Sequence, residues 1–254
     1  MTNLFDIQGK KAIVTGGTRG LGYGMAEGLM EAGAEVCIVG TSDKVMTVAS
    51  DFCERGFKCH GVKADLSKRE QTFKCFDDCL KALGGDLDIL VTAHGIQRRH
   101  SAEVFPENEW NEVIEVNLNS VFFLCQKAAN VMLKKGYGKI VTIASMVSWF
   151  GGQTVPAYSA AKGGVTQLTK ELSNDWIARG INVNSIAPGY MATEMNAALL
   201  DKSNPRYQQI TDRIPAHRWG TGDDMKGAVI FLSSHASDYL GGAIIPVDGG
   251  YLVK

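Results

Sequence analysis

The chain has 254 residues, 45% hydrophobic and 21% charged, with a formal net charge of −1 at pH 7. That balance excludes a disordered chain, and near-neutrality without a basic block argues against nucleic acid as a partner. No apolar run reaches membrane-spanning length, so no membrane partner is expected, and the opening MTNLFDIQGKK lacks the apolar core of a signal peptide, so a cytoplasmic chain is expected.

Short β-branched runs alternate with longer helical patterns. KAIVTG (11–16) reads as a first strand and leads through TGGTRGLG (15–22) into a helix over 21–33. Gly16, Gly20 and Gly22 form G-x-x-x-G-x-G at this strand–helix junction. Glycine there permits a tight turn and lets a phosphate approach the backbone and the helix N-terminus, which points to a nucleotide site. EVCIVG (35–40) is the second strand. Its end, Gly40-Thr41-Ser42, lacks the acid that would hold a ribose 2′-hydroxyl; the first carboxylate, Asp43, comes late. That absence, with Arg19 in the glycine loop, leans the cofactor towards NADP(H) over NAD(H).

A helix over 43–55, the strand KCHGVKA (58–64) and a helix over 68–84 follow. Cys75 and Cys79 share one face of the last, but no His or second Cys pair lies nearby to complete a metal site, so no metal is expected. They and Cys37, Cys53, Cys59 and Cys125 are expected to be reduced thiols. Then come the strand DILVTA (88–93), a helix over 109–135, the strand KIVTIAS (139–145), a helix over 157–179 and the strand INVNSIA (181–187). The stretch 188–222 is the least regular and is a candidate lid at the carboxyl end of the sheet. A helix over 223–234 and the strand AIIPV (243–247) close the chain. The strands are near-continuously apolar, as in strands covered on both faces. The alternation predicts one α/β domain over 1–254, a doubly wound parallel sheet of about seven strands with helices on both faces.

Within this frame, Asn117 lies in VIEVNLNS, Ser145 ends KIVTIAS, Tyr158 and Lys162 bracket YSAAK, and Pro188-Gly189 closes the sixth strand. Taken alone, Tyr158 and Lys162 are an i,i+4 pair on one helix face, as in any amphipathic helix. Together with TGGTRGLG, these motifs resemble the short-chain dehydrogenase/reductase family, a Rossmann-type fold, over essentially the whole chain. The resemblance implies hydride transfer with NAD(P)(H), with Asn117, Ser145, Tyr158 and Lys162 as catalytic residues. For the cofactor it implies Gly16, Thr18, Arg19, Gly20, Leu21 and Gly22 in the first turn, and Thr41 and Ser42 after the second strand. Asp65 and Leu66 would follow the third strand, Gly95 the fourth, and Pro188, Gly189 and Thr193 the sixth. Tyr158 and Lys162 would also touch the nicotinamide side. A homotetramer is implied too, with the helices at 109–135 and 157–179 as its interfaces.

The residue types suit that chemistry. Moving a hydride to or from a carbinol carbon requires a proton to join or leave its oxygen. A phenol can serve, but its ordinary pKa is about 10. An ammonium ~5 Å away at an effective dielectric of ~20 is worth about 3 kcal/mol to the phenolate, so Lys162 is expected to bring Tyr158 towards working pH. Ser145 would orient the substrate oxygen, and Asn117 would hold a water linking Lys162 to solvent. One departure stands out. The family's N-N-A-G after the fourth strand is Thr92-Ala93-His94-Gly95 here, leaving His94 either functional or simply packed.

GIQRRH (95–100), IAPGYMATEMNAALL (186–200) and RIPAHRWG (213–220) are similar to the family's sugar-acid branch, the gluconate 5-dehydrogenases and 2-dehydro-3-deoxy-gluconate 5-dehydrogenases. A guanidinium fork suits a sugar carboxylate. Arg98, Arg99 and Arg218 are therefore substrate candidates, with Gln153, His100 and Trp219 as polyol contacts. The deoxy-sugar-acid enzymes often carry an Arg four residues before the tyrosine, where this chain has Thr154. Two other readings are a reductase of acyl-carrier-bound 3-ketoesters, which shares all four catalytic residues, and a nucleotide-sensing regulator that keeps the fold without chemistry, a kind of protein that typically loses the Tyr or Lys present here.

Overall fold

The computed structural model describes residues 3–254. Seven parallel strands stand in the order β3-β2-β1-β4-β5-β6-β7. They are β1 (Lys11–Thr15), β2 (Glu35–Gly40), β3 (Cys59–Lys63), β4 (Ile89–Thr92), β5 (Gly138–Ile143), β6 (Ile181–Pro188) and β7 (Ile244–Val247). Successive side chains of a strand point to opposite faces, and here both faces are apolar. Ala12 and Val14 of β1, Val36 and Ile38 of β2, and Ile89 and Val91 of β4 enter one core. Ile13, Cys37, Val39 and Leu90 enter the other. The first core is closed by α1 (Gly20–Glu31), α2 (Lys44–Glu54) and α9 (Lys226–Ser233). The second is closed by α3 (Arg69–Ala82), α5 (Ser120–Lys135) and α6 (Pro156–Trp176). Double coverage is why these strands read as continuous apolar runs.

The expected helix over 109–135 is interrupted. α4 (Glu107–Ile114) passes into a single π-turn, Glu115–Asn119, before α5 begins. A π-turn inserts one extra residue and re-aims the side chains around it; Asn117 sits inside it and is wholly buried. The segment 188–222 is more regular than its sequence suggests. It holds α7 (Ala197–Leu200) and α8 (Pro205–Arg213), with Pro205 at the first turn and the Asn204 side chain capping it. Its two ends meet through a bridge between Met191 and Gly220.

No disulfide joins the six cysteines. Among the described residues no group of three or more His, Cys, Asp or Glu is placed to hold a metal, and no helix is long and apolar enough to cross a membrane.

Candidate active site

The chain leaves β1 for β2 and β3 on one side, then returns to β4 on the other, so strand order reverses between β1 and β4. Loops diverge at such a switch point and leave a crevice at the carboxyl ends of the strands. Here it is a cleft of about 1,520 Å³. That exceeds the usual small-ligand pocket of roughly 300–1,000 Å³ and leaves room for a dinucleotide and a small substrate together.

The glycine loop forms one wall. Gly16 has φ 69°, and a Cβ there would meet His94 Cα at 2.8 Å, so the loop sits directly on the turn after β4. At Gly22 a Cβ would lie 2.2 Å from the Gly16 carbonyl oxygen. Both obstacles are backbone and cannot rotate aside. Gly22→Ala is therefore expected to distort the loop and abolish or severely weaken dinucleotide binding, which titration of NADPH fluorescence would measure; wild-type affinity would show that the loop does not carry the phosphates. The tight turn and the helix end behind it fit a pyrophosphate. Thr18, Arg19, Gly20, Leu21, Thr41, Ser42, Asp65, Leu66, Gly95, Pro188, Gly189 and Thr193 all line the same cleft. Lys44, unnoticed in the sequence, lines it too, beside Thr41 and Ser42. Asp43 is absent from the lining; its carboxylate takes Lys63 Nζ at 2.9 Å. Arg19 pairs with Glu194 of the lid segment.

Ser145, Tyr158 and Lys162 meet at the floor. Ser145 lies just past β5, where its Oγ accepts from the Val147 amide at 3.4 Å. Lys162 is buried and donates to the Ile143 carbonyl at 2.6 Å. Burial pushes its ammonium down to about 8. Its Nζ stands 5.6 Å from the Tyr158 ring centroid. Desolvation at the floor pushes the Tyr158 phenol up, opposed by the Ser145 hydroxyl and by the charge of Arg99. Burial is the largest influence on the phenol, and Arg99 is a cation that opposes it. Asn117 does not reach the cleft. Its Oδ1 accepts from the Ile96 amide at 2.9 Å and its Nδ2 donates to the Ile96 carbonyl at 2.8 Å, so its side chain clamps the loop after β4.

The substrate candidates separate. Arg98 lines the cleft but its Nη2 is held by Glu112 at 2.9 Å. His100 is held by Glu109 at 2.8 Å. Arg99 lines the cleft, and among the described residues no carboxylate pairs with it. Arg218 and Gln153 are not brought to the cleft. Arg218 instead forms a two-pronged pair with Asp224, at 2.8 and 2.6 Å. Trp219 is core, packed with Ile210, Ile214 and Tyr251 and donating to Thr211 Oγ1 at 3.0 Å. Thr154 adopts left-handed backbone, φ 61°. Its carbonyl accepts from the His100 amide at 3.0 Å, tying the arginine loop to the approach of α6.

The short chain dehydrogenase family pattern matches residues 10–204. The 2-dehydro-3-deoxy-D-gluconate 5-dehydrogenase of Bacillus subtilis is 44% identical, over 98% of this chain and 97% of its own. The gluconate 5-dehydrogenase of Gluconobacter oxydans is 38% identical, over 99% and 98%. The crystal structure of a gluconate 5-dehydrogenase from Burkholderia cenocepacia, in complex with NADP and tartrate, superposes with a TM-score of 0.94 at 39% identity, covering 99% of this chain and 98% of that one.

Proposed function

The chain belongs to the short-chain dehydrogenase family, and from that premise we propose that it moves a hydride between NADP(H) and a secondary alcohol or ketone of a sugar acid of the gluconate/5-ketogluconate type. It is an NAD(P)-dependent oxidoreductase acting on the CH–OH group of sugar acids. The observation that carries the reading is the convergence of Ser145, Tyr158 and Lys162 on one floor, with an unpaired guanidinium, Arg99, at the same cleft.

Bound in the cleft, the nicotinamide supplies or accepts the hydride. The residues do the rest. Ser145 holds the substrate oxygen and steadies charge on it. Tyr158 Oη gives that oxygen a proton in reduction and removes one in oxidation. Lys162 keeps a positive charge beneath the phenol and the cofactor ribose. Arg99 takes the substrate carboxylate.

The NADP(H) preference is supported by Arg19, Lys44, Thr41 and Ser42 around the end of β2, and by Asp43 being turned to Lys63. Tartrate, a hydroxy acid, together with NADP in the Burkholderia enzyme is in keeping with both halves of the proposal. Arg19→Ala and Lys44→Ala are expected to weaken NADP(H) about tenfold more than NAD(H), the low end for a charged hydrogen bond at an exposed site. Equal losses with both cofactors would show that these cations do not read a 2′-phosphate.

A second substrate reading, 2-dehydro-3-deoxy-D-gluconate, is favoured by the identity to the Bacillus enzyme; Thr154, where those enzymes often place an Arg, weighs against it. Steady-state rates with gluconate, 5-ketogluconate and 3-deoxy-2-keto sugar acids, with both cofactors, decide between them. A cytoplasmic homotetramer belongs to the same proposal. The apolar groove of Leu118, Phe122, Phe123, Gly164 and Leu168 between α5 and α6 supports it, and light scattering tests it.

A further inference from the structure

His94 replaces a small residue of the family pattern, and no step of the reaction above uses it. Its ring is enclosed, 8% exposed, between Thr15 at 0% and Ser120 at 1%. Nδ1 stands 2.6 Å from Thr15 Oγ1, and Nε2 stands 2.7 Å from Ser120 Oγ. Ser120 Oγ also lies 2.6 Å from the Val116 carbonyl. A carbonyl can only accept, so Ser120 spends its proton there and must accept from His94 Nε2–H. Nδ1 is then the bare nitrogen and accepts from the Thr15 hydroxyl. Burial pushes the imidazole down to about 3, which keeps the ring neutral and Nδ1 bare. It ends at a buried carbonyl, so it cannot carry protons to solvent.

The network joins three parts of the site. Thr15 ends β1, just before Gly16 of the glycine loop. His94 follows β4, and the Gly16 backbone rests on it. Val116 and Ser120 bracket Asn117 in the π-turn. Asn117 in turn holds Ile96, two residues beyond His94, by two hydrogen bonds. We propose that His94 is a positioning residue: through Thr15 and Ser120 it braces the π-turn against the base of the cofactor loop, and so couples cofactor seating to the alignment of the catalytic floor. The coupling to turnover rests on the catalytic reading above; the coupling to cofactor seating does not.

His94→Ala leaves neither neighbour stranded, because Ser120 keeps Val116 and Thr15 has the Val91 carbonyl at 3.4 Å. The variant is expected to fold, with kcat lowered about ten- to a hundredfold, the scale of a small misplacement of reacting groups, and substrate KM little changed. Ser120→Ala cuts the same bridge at its other end and should copy it. The double variant should be no worse than either single one. His94→Gln, whose amide can reach Ser120, should recover part of the loss. NADPH affinity, read by fluorescence on the same proteins, should fall roughly two- to thirtyfold with the same non-additivity. Additive losses, or an unchanged kcat and NADPH affinity in folded His94→Ala, would overturn the bridge. If His94→Ala does not fold, Thr15→Val keeps the ring and cuts only the β1 end; with Ser120→Ala it completes the same cycle. A wild type that turns over no sugar acid refutes the catalytic reading, while the NADPH cycle still decides the bridge.

Discussion

Tyr158→Phe is expected to lower kcat by about two to four orders of magnitude, the range of general acid–base catalysis, with folding and cofactor binding near wild type. The ring remains, so α6 keeps its packing; only the hydroxyl beside Ser145 is lost. Near-normal turnover would remove the phenol from the mechanism. The wild-type pH profile should carry the same signature. Desolvation pushes the phenol up, and oxidation needs the phenolate, so the oxidation rate should climb with pH into the alkaline range. Reduction needs the phenol and should stay level through neutrality, then fall. Lys162→Met should also weaken cofactor binding, since on the proposed reading it loses a ribose contact along with the charge. Opposite pH trends, with oxidation falling as pH rises, would mean that another group moves the proton.

Arg99→Ala is expected to lower kcat/KM for a sugar acid by roughly ten- to more than a hundredfold, the worth of one charged hydrogen bond of about 1.5–3 kcal/mol. An uncharged polyol should lose far less, so the preference for the acid should collapse in this variant alone. Arg98→Ala and Arg218→Ala should leave that preference intact. Arg98 faces Glu112, and Arg218 pairs with Asp224 away from the cleft. Arg99 also acts on the phenol. Its removal should therefore shift the oxidation profile to higher pH as well. If polyol and acid are turned over equally well by the wild type, Arg99 is structural and the substrate is neutral.

The fold was legible because its signals are local and repeated. Apolar runs of five or six residues, separated by helical periods, report burial on both faces wherever the strands finally stand. The glycine loop was legible because it is set by a single turn of chain, whereas the Tyr158–Lys162 pair took its meaning from the family resemblance of the combined motifs. The π-turn at Glu115–Asn119 was not: its residues read as part of one continuous helix over 109–135. Lys139 shows the same limit. It is the second residue of β5 and is 1% exposed, yet a lysine near a strand start reads as solvated. It is buried because Asp238 and Asn182 reach it at 2.6 and 2.9 Å from distant parts of the chain.

Residue types and their spacing thus determined the sheet and the nucleotide loop, and the resemblance of the combined motifs to the family implied the chemistry of the floor. Which of two adjacent arginines stays free did not follow from them. Arg98 and Arg99 have the same side chain and neighbouring positions, and they differ only in what the fold sets opposite each. α4 brings Glu112 to Arg98 and Glu109 to His100, and brings nothing to Arg99. Arg19 meets Glu194, 175 residues away, and His94 finds Thr15 and Ser120 on either side. Charge pairing and hydrogen-bond closure act over a few ångströms, so they are settled only once the strands have brought remote segments together.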